Sequence, residues 1–257
     1  MLNLPEQTDD DAPIFTAAAM LAQRWRTNRA PKISSPHTVI ICYQRDPITA
    51  LLKRQRAAKI DGFFGELRVL KRRDHSIGLL QPVGPGAPIV AAVVEELIAF
   101  GVQQFISIGL AGGLQADLHP GDIVICERAL RDEGTSYHYL PPARSVDANP
   151  TLVQQISAAF AARQIDHSIG ASWTTDAPYR EMRRKVEAYR DEGVKTVEME
   201  AAALFAVGQR LGVPTAAVFV IGDRLADLAW QPPIDPQPLR HSLASVAHAI
   251  VEWLSSK

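Results

Sequence analysis

Apolar residues in this chain fall into two kinds of run that alternate from about residue 37 onward. Residues 37–43, 105–108, 123–126, 169–173 and 214–221 are continuous stretches rich in Val, Ile and aromatic side chains, and such runs predict strands covered on both faces. A shorter run, 194–197, has the same character. Between them the spacing turns helical. Helices are predicted over 17–22, from Asp46-Pro47 onward with Asp46 as cap, over 89–100 with Gly101 as stop, over 150–162, and over the charged span 181–191. Two more follow, one from about 200 to Gly212 and one carrying Leu243, Val246, Ile250 and Leu254 on a single face. Residues 67–70 and 76–80 read as a hairpin around the charged turn 71–74. Strand and helix in alternation predict an α/β fold with a central sheet flanked by helices, and the hairpin makes that sheet mixed. One domain over residues 35–257 is expected, preceded by an N-terminal arm over 1–34 whose first dozen residues form a loose acidic tail.

Composition narrows the partners. The 257 residues are 47% hydrophobic, enough for an ordinary core, and the net charge of -1 offers no basic field for nucleic acid or an anionic membrane. A small molecule is the expected ligand. Cys42 and Cys126 both sit inside apolar runs, as reduced core thiols do. There is no basic segment followed by an apolar run at the N-terminus and no apolar stretch near 18 residues, so a soluble, cytoplasmic protein is expected. Phosphate-loop, zinc-helix and nucleophile-elbow motifs do not occur, which leaves metal and serine mechanisms without support and predicts no cofactor.

Small or polar residues recur where strands end: Gly109, Thr174, Glu198 and Asp223. The densest chemistry is Thr196-Val-Glu-Met-Glu-Ala-Ala-Ala-Leu-Phe205, where two carboxylates and a thioether meet the start of an Ala-rich helix. One reading of Glu198 and Glu200 is that they answer the free N–H groups of the helix start. The other is that a carboxylate accepts from the vicinal hydroxyls of a sugar while Met199 walls its ring. Gly109 to Gly113 is expected to turn sharply, letting backbone N–H groups near Ala111 and Gly112 approach a ligand. Glycines at 84 and 86 make a similar turn ahead of the 89–100 helix. The loop over 131–142 holds Tyr137, His138 and Tyr139, which either cover a substrate or pin the loop to its own surface. Thr174, Thr175, Tyr179 and Arg180 occupy the loop after another strand, and Asp223 follows the last one, where open α/β sheets place ligands.

These motifs resemble the nucleoside phosphorylase and nucleosidase family, which includes uridine phosphorylase, the hexameric purine nucleoside phosphorylases and methylthioadenosine nucleosidase. The resemblance runs from about Thr38 to the C-terminus and rests on Gly109-Leu-Ala-Gly-Gly-Leu114, Pro120-Gly-Asp-Ile-Val124, the Glu-Met-Glu segment and Val220-Ile-Gly-Asp223. It implies cleavage of an N-glycosidic bond by a homo-oligomer, a dimer or trimer of dimers, with phosphate as co-substrate in the phosphorylases. Glu198, Met199 and Glu200 would then hold the sugar. Asp223 would protonate the leaving base at N7, as acids at that position do in purine-specific members. Ala111, Gly112, Thr174, Thr175, Tyr179, Arg180 and His138 would serve the base or its covering loop.

The anion site departs from the family pattern. The Gly-Asp-Pro-x-Arg turn of the phosphorylases is Arg45-Asp-Pro-Ile-Thr49 here, and the Arg and the Ser or Thr that flank the family's second glycine turn are Ser107 and Leu110. Arg45 and Gly109 are the candidates for phosphate, with Lys59 or a neighbouring subunit as other sources of charge. The expected function is a phosphorylase acting on a purine nucleoside; a nucleosidase that uses water, or a binding protein without turnover, are the alternatives.

Overall fold

The structure is a computed structural model that describes residues 12–52, 57–71 and 76–256. Ten strands form one mixed sheet: β1 (Thr38–Cys42), β2 (Ala58–Asp61), β3 (Gly65–Lys71), β4 (Ser76–Pro82), β5 (Gln104–Gly113), β6 (Ile123–Asp132), β7 (Ser145–Asp147), β8 (Ser168–Thr175), β9 (Thr196–Glu198) and β10 (Thr215–Arg224). Seven helices flank it: α1 (Ala17–Arg26), α2 (Arg45–Leu52), α3 (Ala87–Phe100), α4 (Pro150–Ala161), α5 (Arg183–Asp191), α6 (Ala201–Leu211) and α7 (Gln237–Ser255). The α/β class, the mixed sheet and the hairpin of β3 with β4 agree with the pattern of the sequence.

Parallel pairing joins β4, β1, β5 and β10 in that order, so their carboxyl ends share one edge of the sheet. The sheet also closes on itself. β5 pairs with β10 and β9, β10 with β6, β6 with β8, and β8 with β9, so these strands form a small barrel. Closure gathers the ends of β5, β8, β9 and β10 around one mouth, and that gathering is what assembles residues from far apart in sequence.

The core explains why the runs become strands. Val39, Ile40, Ile41, Phe105, Ile106, Ile108, Val218 and Val220 are fully buried between the helical layers, each contributing roughly 1.5–3 kcal/mol of transfer free energy. Cys42 and Cys126 are free and buried among them. Helix ends follow local chemistry: Gly101 and Gly212 close α3 and α6 in the left-handed conformation, and the Asn149 side chain accepts from Leu152 N at the start of α4.

Several expectations need correction. Gly109 to Gly113 is no turn: β5 continues through it because β10 on one side and β9 on the other supply ladder partners. β6 and β8 likewise outrun their apolar cores, so Thr174 and Thr175 lie in a strand rather than a loop. The charged helix begins at Arg183, after a short 3-10 turn over Pro178–Arg180. α2 starts at Arg45, so Asp46 is in its first turn and pairs with Arg240 of α7 at 3.3 Å. Strand β2 carries no apolar signal; it forms by pairing with β3, with Lys59 against Glu66 at 3.2 Å. The acidic tail, the basic residues Lys53, Arg54 and Arg56, and most of the charged turn lie outside the described residues.

Candidate active site

The Glu-Met-Glu segment joins β9 to α6, and its two carboxylates have separate tasks. Glu198 is fully engaged: Oε2 accepts from the N–H groups of Glu200 at 2.7 Å and Ala201 at 2.8 Å, while Oε1 accepts from the hydroxyls of Thr174 at 2.5 Å and Ser172 at 3.3 Å. Thr174 Oγ1 accepts in turn from Ala202 N at 3.0 Å. Glu198 and Thr174 thus cap three free N–H groups of α6, which is the helix-start reading realised at one of the two acids. Burial pushes the Glu198 carboxyl up, against these four donors that favour its anion.

Glu200 is left for other work. It is 7% exposed and makes no side-chain cap; its Oε1 accepts from Gly86 N, the residue before α3. Gly86 has φ +114°, a conformation that suits glycine and turns its N–H toward the carboxylate. Burial, then the charge of Glu198, pushes Glu200 up to about 8. Met199 is half-exposed beside it.

Near Glu200 the chain just after β1 meets the middle of β5 in a polar recess, where the Tyr43 and Ser107 hydroxyls are buried against each other and find no other partner. Gln44 Oε1, next in sequence, is buried without a partner. Buried polar atoms are rarely left so, and a group of them marks a place for a ligand or water. The Tyr43 ring covers Gly109, where an added Cβ would stand 3.4 Å from it. Burial first, and then the charge of Glu200, lifts the Tyr43 hydroxyl well above the usual phenol range. Arg45 is exposed at the start of α2, and among the described residues no lysine or arginine is bonded to Tyr43, Ser107 or Glu200.

The other end of the mouth is built by β10. A bulge at Gly222 shifts its register with β5, so that Asp223 stands opposite Gly112. Gly112 must lack a side chain: a Cβ there would meet Leu225 at 2.6 Å, Val197 at 3.0 Å and Asp223 Oδ1 at 3.1 Å. Asp223 is half-buried and its Oδ2 accepts from the indole of the exposed Trp230 at 2.6 Å. Near Asp223 a second acid, Glu181, is half-buried. Burial, then the charge of Asp223, pushes Glu181 up to about 7. Sequence reading missed Glu181 because it lies in a run of charges, although it stands before the helix and three residues after Pro178.

The remaining candidates are placed as follows. Ala111 is buried on β5 beside Gly112. Thr175 Oγ1 accepts from Ala177 N at 3.3 Å. Tyr179 is 99% exposed and Arg180 is exposed next to it, both on the approach to Glu181. His138 is exposed, and its loop is fastened to the protein's own surface: Arg131 reaches Ser136, Leu140 and Pro141, and Tyr139 donates to Glu95 of α3 at 2.6 Å. Among the described residues no group of His, Cys, Asp and Glu is arranged to hold a metal, and no helix is long and apolar enough to cross a membrane.

Known proteins resemble this chain in sequence and in fold. The chain is 35% identical over 146 residues to guanosine phosphorylase of Halorubrum lacusprofundi, covering 55% of this chain and 59% of that protein. It is 34% identical over 149 residues to uridine phosphorylase of Treponema pallidum, covering 54% and 58%. In both, the match spans less than two thirds of the relative's own length. The fold superimposes on uridine phosphorylase from Vibrio fischeri ES114 with a TM-score of 0.75 at 22% identity, over 87% of this chain and 93% of the other. Residues 55–252, a span that takes in the Glu-Met-Glu join and the Asp223 strand end, match the Phosphorylase superfamily, and the chain belongs to this superfamily.

Proposed function

We propose that the protein is a nucleoside phosphorylase that cleaves the N-glycosidic bond of a purine nucleoside and passes the pentose to phosphate. The observation that carries this reading is Glu200, a buried carboxyl at the β9–α6 join whose own partners are the backbone N–H groups of Gly86 and Met199, near the Tyr43 hydroxyl. A carboxylate so placed accepts from the 2′ and 3′ hydroxyls of a ribose, with Met199 against the sugar. Positive charge that develops on the ring in the transition state favours the ionised form of Glu200, against the burial that otherwise holds its proton. At the far end, a proton delivered to the base neutralises the leaving group. The 35% identity to a guanosine phosphorylase supports a purine, as does an acid at the end of β10. Phosphate is the only co-substrate this reading requires.

A second reading has an observation of its own. A phosphate buried without compensating charge is prohibitive, and the recess holds Tyr43 and Ser107 but no bonded cation among the described residues. With water as nucleophile the protein is a nucleosidase. The two readings separate in one assay: a panel of nucleosides incubated with and without phosphate, with the sugar product identified. The phosphorylase reading expects pentose 1-phosphate and no turnover in phosphate-free buffer. Free ribose at the same rate without phosphate would establish the hydrolase instead.

A further inference from the structure

Asp223 divides its two oxygens between unlike neighbours. Oδ2 accepts from Trp230 Nε1 at 2.6 Å, while Oδ1 lies over Gly112 of β5, where an added Cβ would stand 3.1 Å from it. Among the described residues Oδ1 has no hydrogen bond. The missing side chain at Gly112 leaves the space beside this oxygen unfilled.

Trp230 is 68% exposed, so its indole is not kept in place by apolar burial. Its backbone, in contrast, is fastened at several points. Arg224 N donates to Gln231 O at 3.0 Å and Gln231 N to Arg224 O at 2.9 Å, which closes the segment between them. Leu225 N donates to Gly113 O of β5 at 2.9 Å, and Leu228, at φ +58°, makes the turn by donating to Leu225 O at 2.9 Å. From α5, Arg190 Nη1 donates to Ala226 O at 2.9 Å and Arg183 Nη2 to Leu228 O at 3.2 Å. Gln231 Nε2 adds a bond to Asp227 Oδ2 at 3.0 Å. None of these bonds uses the indole. The segment therefore presents the Trp230 N–H from a fixed place and keeps its own closure when that N–H is removed.

An indole nitrogen only donates, and the carboxyl oxygen that accepts best from it is the one without the proton. A protonated Asp223 bonded to Trp230 thus carries its proton on Oδ1. We infer that Trp230 is the positioning residue of base protonation: its N–H holds the Asp223 carboxyl in one rotamer and leaves the proton on the oxygen over Gly112. The inference rests on the proposed glycosidic cleavage, with Asp223 at the leaving base. In the reaction the C1′–N bond breaks with its electron pair passing to the base, the proton moves from Oδ1 to a ring nitrogen of the base, and the nucleophile forms the new bond at C1′. The proton that the nucleophile gives up to solvent balances the one that restores Asp223. As Asp223 becomes a carboxylate, the bond from Trp230 to Oδ2 becomes charge-assisted, so it is stronger in the transition state than before it.

One arm of the test needs no turnover. The indole N–H resonances of the four tryptophans are recorded, and the one lost in Trp230→Phe is thereby assigned. We expect that resonance to lie downfield, as a hydrogen-bonded N–H does, and to move upfield in Asp223→Ala; the same position in both proteins overturns the hold on Asp223. In the turnover arm, Trp230→Phe should lose at least about tenfold in kcat on a purine nucleoside, with KM within about threefold. On a nitrophenyl riboside, whose leaving group needs no proton, it should stay within about threefold. In the Asp223→Ala background the same change should cost less than about twofold, because Trp230 acts through Asp223. No loss on the purine nucleoside, equal losses on both substrates, or the full loss repeated in the Asp223→Ala background overturns the inference and leaves the glycosidic cleavage standing. An unmodified protein that turns over no nucleoside contradicts the functional reading instead, while the indole resonance still upholds or overturns the hold of Trp230 on Asp223.

Discussion

The backbone N–H of Gly86 donates to the carboxylate of Glu200 across 114 residues of sequence. This bond ties the turn before α3 to the start of α6, beside the recess at the end of β1. With Met199 N–H it gives a buried acid two donors where Glu198 has four.

Glu200 makes the stability of the protein pH-dependent with a definite sign. Its carboxyl is raised in the folded state from the ordinary 4.5 to about 8, so the folded protein holds the proton more tightly than the unfolded chain. The contribution of Glu200 to stability is therefore fully present below about pH 4.5 and is lost as pH rises through about 8, at roughly 1.4 kcal/mol per unit within that window. Glu200→Gln should flatten this slope, which urea unfolding at pH 5 and pH 9 measures. An equal slope in the variant would place the titration elsewhere.

Gly112→Ala places a methyl group against Leu225, Val197 and Asp223 at 2.6 to 3.1 Å. Overpacking of this kind costs about 1–3 kcal/mol. The melting temperature should drop by several degrees, and base affinity should fall with it because Asp223 must shift. An unchanged melting temperature would mean the wall is softer than its contacts imply.

Thr174→Val removes the 2.5 Å donor of Glu198 and leaves the Ala202 N–H without its acceptor. Leaving such buried groups unsatisfied costs about 1–3 kcal/mol each. Unfolding free energy should fall by that order, with the sugar-side KM rising less than for changes at Glu200. Thr174→Ser, which keeps the hydroxyl, should restore most of the loss.

The sequence made the alternation of strands and helices legible, and with it the placing of Glu198 and Asp223 at strand ends and of Glu200 at a helix start, because each adjoins an apolar run. It could not show that Gly109 to Gly113 stays extended, since a glycine run reads as a turn until neighbouring strands claim its hydrogen bonds. Nor could it divide the two acids of the Glu-Met-Glu segment; only the positions of Ser172 and Thr174 on β8 reveal that Glu198 is the cap. Glu181 was hidden among charges, and its half-burial shows only in the fold. Tyr43 read as the end of a strand, and its unpartnered hydroxyl is visible only beside Ser107 and Glu200.

Tyr43→Phe separates a ligand site from packing. The buried hydroxyl has the Ser107 hydroxyl beside it and no other partner, so removing it should change stability by no more than about 1 kcal/mol in either direction. If the recess binds the nucleophile, kcat/KM should nonetheless fall at least fivefold, with the apparent phosphate requirement raised. A variant equal to the unmodified protein in turnover would remove the Tyr43 hydroxyl from the site.

The central claim is that Glu200 anchors the sugar of a nucleoside whose N-glycosidic bond the protein cleaves. Product analysis of guanosine and inosine incubated with phosphate, for the unmodified protein and for Glu200→Ala, tests it most directly. The account predicts free base and ribose 1-phosphate from the unmodified protein, and a loss in kcat/KM of at least a hundredfold in Glu200→Ala, corresponding to about 3 kcal/mol of transition-state stabilisation. No base released from either nucleoside, or undiminished release by Glu200→Ala in a folded variant, would contradict it.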